Sequence, residues 1–220
     1  ALRYENYSDF GSTLNWKLAT RYKVDDIFTL RAAASTGFRA PSLHQRYFNA
    51  TSSLFVDGEI INSGTFTNDS RVAKLLGIPE LKQELSRSYS AGVTANFGKL
   101  KVTADAYYIR IDDRVVYTGN FTGSNASSAT AQDKEIYDLL RQANASSARF
   151  FANAIDTETK GLDLVLTYNE QIGRGTLRTD LSGTFVKTNI LGAVKSSAQL
   201  AGKEDIYFDQ SSRIYLESAV

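Results

Sequence analysis

Residues 89–108, YSAGVTANFGKLKVTADAYY, read as two strands joined by a tight turn. In an extended chain successive side chains point to opposite faces. Tyr89, Ala91, Val93, Ala95 and Phe97 therefore share one face, with Ser90, Gly92, Thr94 and Asn96 behind them. After Gly98-Lys99 the pattern resumes, with Leu100, Val102, Ala104, Ala106 and Tyr108 opposite Lys101, Thr103, Asp105 and Tyr107.

The same alternation extends in both directions. Upstream, Leu14, Trp16, Leu18 and Tyr22 face away from Asn15, Lys17, Arg21 and Lys23. Phe28, Leu30, Ala32, Ala34 and Phe38 face away from Thr29, Arg31 and Ser35. Downstream, Leu162, Leu164, Leu166 and Tyr168 make one apolar row, and Leu177, Leu181 and Phe185 another, against Arg178, Asp180, Ser182 and Thr184. Weaker strands are expected near 2–7 and 213–220. About eight strands follow, with almost no competing helix.

Alternation does not say what the apolar face meets. A soluble sandwich buries it; a membrane barrel turns it to lipid. Three features favour the barrel. Aromatic residues bracket the small aliphatics: Tyr89 with Phe97, Phe28 with Phe38, Trp16 with Tyr22. The span between them approaches the ~25 Å apolar band of outer-membrane barrels. Alanine is frequent on this face, where a sandwich core needs bulkier β-branched residues. Finally, strand pairs close through short turns at 24–26, 97–99 and 173–175, while the opposite ends open into excursions at 39–84, 117–153 and 191–210. Short turns at one end and long external loops at the other are what a transmembrane barrel shows.

The excursions are rich in Ser, Asn, Thr and Gly. One carries a helical pattern, DKEIYDLLRQA, with Ile136, Leu139 and Leu140 on one face, and RVAKLLGIPE reads as a shorter turn of helix. Each helix is expected to pack only its own loop. Six Asn-x-Ser/Thr triplets are explained by this composition alone.

The 25 basic and 24 acidic residues leave a formal charge of +1 without a basic block, so no nucleic-acid surface is expected. With no cysteine, thiolate chemistry and disulfides are excluded. The single histidine, His44, lies two residues from Ser42, but no Gly-x-Ser-x-Gly elbow exists to present a nucleophile to it, so a catalytic pair is not expected. Asp112 and Asp113 beside Arg114 read as a turn with local ion pairing rather than a calcium or acid pair. No catalytic residue, metal ligand or cofactor is assigned, and the chain is not expected to be an enzyme.

The stretch YSDFGSTLNWKLATRYKVDDIFTLRAAASTGFRAPSLHQRYF resembles the barrel of TonB-dependent outer-membrane receptors, whose strands run into a Gly-Phe-Arg-Ala-Pro-Ser-Leu element where an external loop departs. Here that element is Gly37 to Leu43. LKQELSRSYSAGV, ADAYYIRIDDRVVYTG and NAIDTETKGLDLVLTY fit the same family in the same order. Gly37 gives the backbone freedom at the rim, and Pro41 cannot donate to a ladder, so the strand is expected to stop there. Arg39 is read as a rim side chain held by neighbouring carbonyls or carboxylates.

The resemblance implies an antiparallel transmembrane β-barrel in the bacterial outer membrane, closed by a plug, importing a scarce nutrient such as a siderophore, cobalamin or oligosaccharide with energy from TonB. A barrel of ~22 strands needs far more chain, so residues 1–220 are expected to be one segment, with plug domain, TonB-contact segment and remaining strands lying elsewhere. Arg31, Asp105, Asp163, Arg178 and Asp180 would face the plug or water. Ligand contacts are expected in loops 45–67 and 119–148, with no individual positions assigned. The alternatives are a soluble β-sandwich binding module, whose apolar faces would form a dry core, and a small barrel esterase dependent on His44.

Overall fold

The computed structural model describes residues 1–7, 11–56 and 59–207. Its strands are β1 (Leu2–Tyr7), β2 (Gly11–Lys23), β3 (Phe28–Arg39), β4 (Ala50–Val56), β5 (Glu59–Thr65), β6 (Glu84–Phe97), β7 (Leu100–Tyr117), β8 (Phe121–Thr122), β9 (Ala145–Arg149), β10 (Phe151–Ile172) and β11 (Gly175–Leu191). Three helices, α1 (Leu43–Tyr47), α2 (Arg71–Leu75) and α3 (Ala131–Gln142), lie between long strands. The strand expected at 213–220 falls outside the described residues.

Seven strands form one antiparallel sheet in the order β1-β2-β3-β6-β7-β10-β11. Each long strand pairs with the next long strand along the chain, the connectivity of an up-and-down wall. The turn at Gly98-Lys99 joins the paired residues Phe97 and Leu100, and Gly173-Arg174 joins Ile172 and Gly175. In both, the first turn residue is a glycine at positive φ, 69° and 60°. A two-residue hairpin of this type requires glycine there to match the strand twist.

The register keeps the two faces chemically distinct. Tyr22, Leu30, Val93, Ala104 and Leu164 lie in one cross-strand row; one residue over, Arg21, Arg31, Gly92, Asp105 and Asp163 lie in a row on the other face. The apolar face is open: Leu18, Leu30, Tyr89, Leu162, Leu181 and Phe185 are all exposed, and no second sheet covers them among the described residues. A sandwich requires such a covering sheet, so the soluble alternative fails.

The dry core sits elsewhere. A second sheet, in the order β4-β5-β9-β8, is assembled from the two longest external excursions, with β5 and β9 paired in parallel. Phe66, Val72 and Leu76 from the first excursion, Phe121, Ile136, Leu140 and Phe150 from the second, and Leu200 from the third share one buried cluster. Val116, Ala152, Ala154 and Ile155, at the external ends of β7 and β10, form its floor. The expectation that each helix packs only its own loop is therefore wrong: α2 and α3 meet in a common core, and the excursions build one cap. Buried apolar surface from a single loop is too small to offset ordering that loop; three together share one interior.

Candidate functional site

The rim between wall and cap is held by charge. β3 ends at Arg39, as the Pro41 break requires. The Arg39 guanidinium forks onto Glu84, with Nε at 2.9 Å and Nη2 at 2.5 Å from the two carboxylate oxygens. Glu84 is 5% exposed and also accepts the Val115 backbone N–H at 2.8 Å, so one carboxylate ties β3, β6 and β7. Arg39 has the structural role expected of it. Just beyond, Ser42 Oγ accepts the Gln45 N–H at 3.1 Å and Gln45 Oε1 accepts the Ser42 N–H at 3.0 Å. This reciprocal cap starts α1. His44 stacks on Phe48 at 4.4 Å and meets Phe151 edge-on at 6.0 Å. Ser42 and His44 are thus occupied by separate structural contacts.

The acidic pair differs from its reading as a turn. Asp112 and Asp113 lie inside β7, where a bulge shifts the register against β10 and places Asp113 at φ 57°. Asp112 faces Arg110 at 2.7 Å. Asp113 turns the other way and gathers partners from far along the chain. Lys195 Nζ lies 2.7 Å from Asp113 and 2.6 Å from Asp156, Lys82 Nζ lies 3.2 Å from Asp113, and the Asp113 N–H donates to Asp156 at 2.8 Å. Asn153 donates to the backbone carbonyls of Lys82 and Asp113 at 2.9 and 2.6 Å. Burial alone would raise the Asp113 and Asp156 carboxyls, but hydrogen bonds from Lys195, joined at Asp113 by Lys82 and at Asp156 by the Asp113 N–H, hold both below the usual carboxylate range. Partial burial pulls the Lys195 ammonium down, and its two carboxylate partners more than reverse this. The cluster staples the first and third excursions to the wall. Sequence reading missed it because an extra residue in one strand leaves no compositional mark.

Loops 45–67 and 119–148, expected to carry ligand contacts, are brought together. Ser63 and Ser147 hydroxyls meet at 2.6 Å across the parallel β5–β9 pair, and Arg149 donates to Asn120 at 2.7 Å. The β4–β5 hairpin projects from this sheet with Phe55 77% and Ile60 58% exposed. A recess of about 260 Å³ opens beside α1, lined by Arg46, Tyr47, Asn68, Asp69, Glu80 and Leu81. Its wall mixes a cation, two carboxylates and an aromatic ring, a set suited to a polar ligand.

On the polar face, Arg31 and Asp105 form a two-pronged ion pair directly over Gly92. Any Cβ at Gly92 would occupy the space of the Asp105 carboxylate. Arg178 pairs with Asp180, which also accepts from Thr167 at 2.7 Å. These residues and Asp163 share the face opposite the aromatic rows. Among the described residues, no three His, Cys, Asp or Glu side chains converge in the manner of a metal site.

The chain matches the family described as "TonB dependent receptor-like, beta-barrel" over residues 1–213. No curated protein matches it. Among solved structures, the siderophore receptor PirA from Acinetobacter baumannii aligns with a TM-score of 0.53 and 16% identity, over 90% of this chain and 25% of that one. PirA from Pseudomonas aeruginosa gives 0.53 and 15% identity, over 86% and 32%. The RagAB peptide transporter gives 0.52 and 11%, over 87% and 19%. At these identities the likeness establishes the fold. The chain spans a third or less of each of these structures. A meander wall with its apolar face outward, short turns at one end and a folded cap at the other agrees with the family match, and the chain belongs to the TonB-dependent receptor β-barrel family of outer-membrane transport proteins.

Proposed function

We propose that this chain supplies part of the wall and an external cap of a bacterial outer-membrane receptor that imports a scarce nutrient. The ligand is a siderophore, cobalamin, oligosaccharide or peptide. The energy comes from a TonB complex acting through a plug domain that lies outside residues 1–220. The observation that carries this reading is the cap: a packed body with a polar recess, standing at one end of a sheet with one charged and one apolar face. The family adds the transport class, and the likeness to the siderophore receptor PirA and to the RagAB peptide transporter supports siderophores and peptides as ligand classes.

The test is uptake by cells producing the full-length protein with 52–60 replaced by a short Gly-Ser linker. This removes most of β4, the edge of the cap sheet, and the start of β5 that pairs only with β4, and it leaves the β5 residues paired with β9, α2, α3 and their core in place. Uptake is expected to fall to background while the barrel remains inserted and resistant to heat in detergent. Normal uptake with the hairpin gone would take it out of the ligand site.

A further inference from the structure

Just above the outward-facing tyrosines, the apolar face of the wall changes character abruptly. Arg87 pairs directly with Arg110 across β6–β7, and Lys160 pairs directly with Lys187 across β10–β11. All four point to the same face as Tyr89, Tyr108, Leu162 and Phe185. Like charges opposite one another in a ladder destabilise it, and here two such pairs occupy successive rows, Lys160 and Lys187 level with Tyr89 and Tyr108 and Arg87 and Arg110 one row above, where Glu158 is Arg110's neighbour on β10. Compensation is incomplete. Asp112 serves Arg110 at 2.7 Å and Arg87 only at 3.8 Å; Glu158 serves Lys160 at 2.9 Å. Lys187 is exposed and has no partner among the described residues. Four cations thus share Asp112 and Glu158, with Asp156 acting more weakly on Arg110, on a face whose next row is built for hydrocarbon.

That next row is hollow. Thr20, Ala32, Ala91, Ala104, Ala106 and Leu162 line an open trough of about 520 Å³ on the same face. The trough begins one ladder step below Tyr89, Tyr108 and Lys160. At about 3.4 Å per residue, Arg110 stands on the order of 13 Å above Ala106 and 20 Å above Ala104 along the strand. These distances match a lipid headgroup and the upper part of its chain, given a leaflet whose hydrocarbon half is about 15 Å thick.

We infer that this strip seats one anionic membrane lipid, its phosphate held among Arg87, Arg110, Lys160 and Lys187 and one acyl chain lying in the alanine trough. The phosphate relieves both like-charge pairs. The tyrosines mark the level where headgroup gives way to chain, as amphipathic rings do at membrane interfaces. The alanines leave room that leucines in the same row would fill.

The experiment uses the full-length protein purified in dodecyl maltoside, incubated with equal amounts of dioleoyl phosphatidylglycerol and dioleoyl phosphatidylcholine, with retained lipid counted by native mass spectrometry. The phosphatidylglycerol is expected to be retained preferentially. Lys187→Gln, which removes an exposed unpaired side chain, should reduce that preference by about fivefold, and Arg110→Gln by a similar factor. Arg110→Lys should keep it. Ala106→Leu, which leaves every charge in place, should weaken retention of the same lipid, and inorganic phosphate at millimolar concentration should not displace it. Equal retention of the two lipids by the unaltered protein overturns the inference, as does a preference that survives Lys187→Gln and Ala106→Leu. Full displacement by inorganic phosphate would show a free-anion site and overturn the acyl seat.

Discussion

Phe150 and Phe185 stand on opposite sides of the rim, one 0% exposed and the other 68%. Phe150 lies between Phe66 at 6.5 Å and Phe121 at 6.4 Å, in an interior that other protein atoms fill completely. Phe185 stands on the apolar face of β11, where the described residues leave most of it uncovered. The cap is stabilised as a water-soluble domain is, by removing apolar surface from water. The wall is stabilised by its backbone ladders, with its apolar side chains matched to lipid. One chain thus contains two solvents' worth of design, and each region tolerates what the other does not.

The largest expected effect breaks the cap alone. Phe150→Ala should cost the cap about 3–5 kcal/mol, exposing residues 50–80 and 120–150 to limited proteolysis while the wall stays inserted. Phe185→Ala should change neither by more than about 0.5 kcal/mol. The next effect breaks the wall alone. Leu164→Arg places a charge on the outward face near mid-membrane and should cost about 2–4 kcal/mol in folding into vesicles; Asp163→Asn, one residue away on the interior face, should cost far less.

A smaller effect probes the interior face. Gly92→Ala drives a methyl group into the Arg31–Asp105 ion pair and should cost about 1–3 kcal/mol in urea unfolding. The same change in an Asp105→Ala background should cost less, because the obstructed carboxylate is gone. Failure of that rescue would place the strain in the backbone instead.

The smallest effect concerns the staple between the regions. The Asp113 and Asp156 carboxyls are depressed by folding, so their contribution is complete above the ordinary carboxylate range and fades as pH falls through their folded values, below about pH 4. Lys195 is raised, so its share is intact below the ordinary lysine range and is lost only as pH rises through its folded value. The staple therefore holds across neutral pH. Lys195→Met should loosen the third excursion by about 1 kcal/mol or less, since the site is partly exposed, and should move the acid loss of protease resistance to higher pH.

The wall was legible because its two faces touch different media, and a period of two records that contrast residue by residue. Strand boundaries at Arg39 and Leu100 followed from Pro41 and Gly98. The end of β7 at Tyr117 matches the expected start of the second excursion, but the bulge at Asp113 inside the strand was read as a turn, since it interrupts the alternation without a glycine to announce it. The cap was largely illegible. Its sheet includes β9, ASSAR, in which Ala145, Ser147 and Ala148 are buried, and β8 contributes only two residues. Such strands have too few large apolar groups to show a period. The helices were the exception: α3, with Ile136 and Leu140 one turn apart on its buried face, and the short α2 were both read. What joins these pieces is contact between distant segments, which no local pattern encodes.

The parallel pairing of β5 with β9 has a consequence for biogenesis. Asn62 and Ala145 are neighbours across that pair, yet two wall strands, β6 and β7, and two helices, α2 and α3, lie between them in the chain. Closing so wide a loop is slow unless something first brings its ends together. The wall hairpins, whose partners are adjacent in sequence, do that on insertion. The cap accordingly assembles after the wall, with the finished wall as its template.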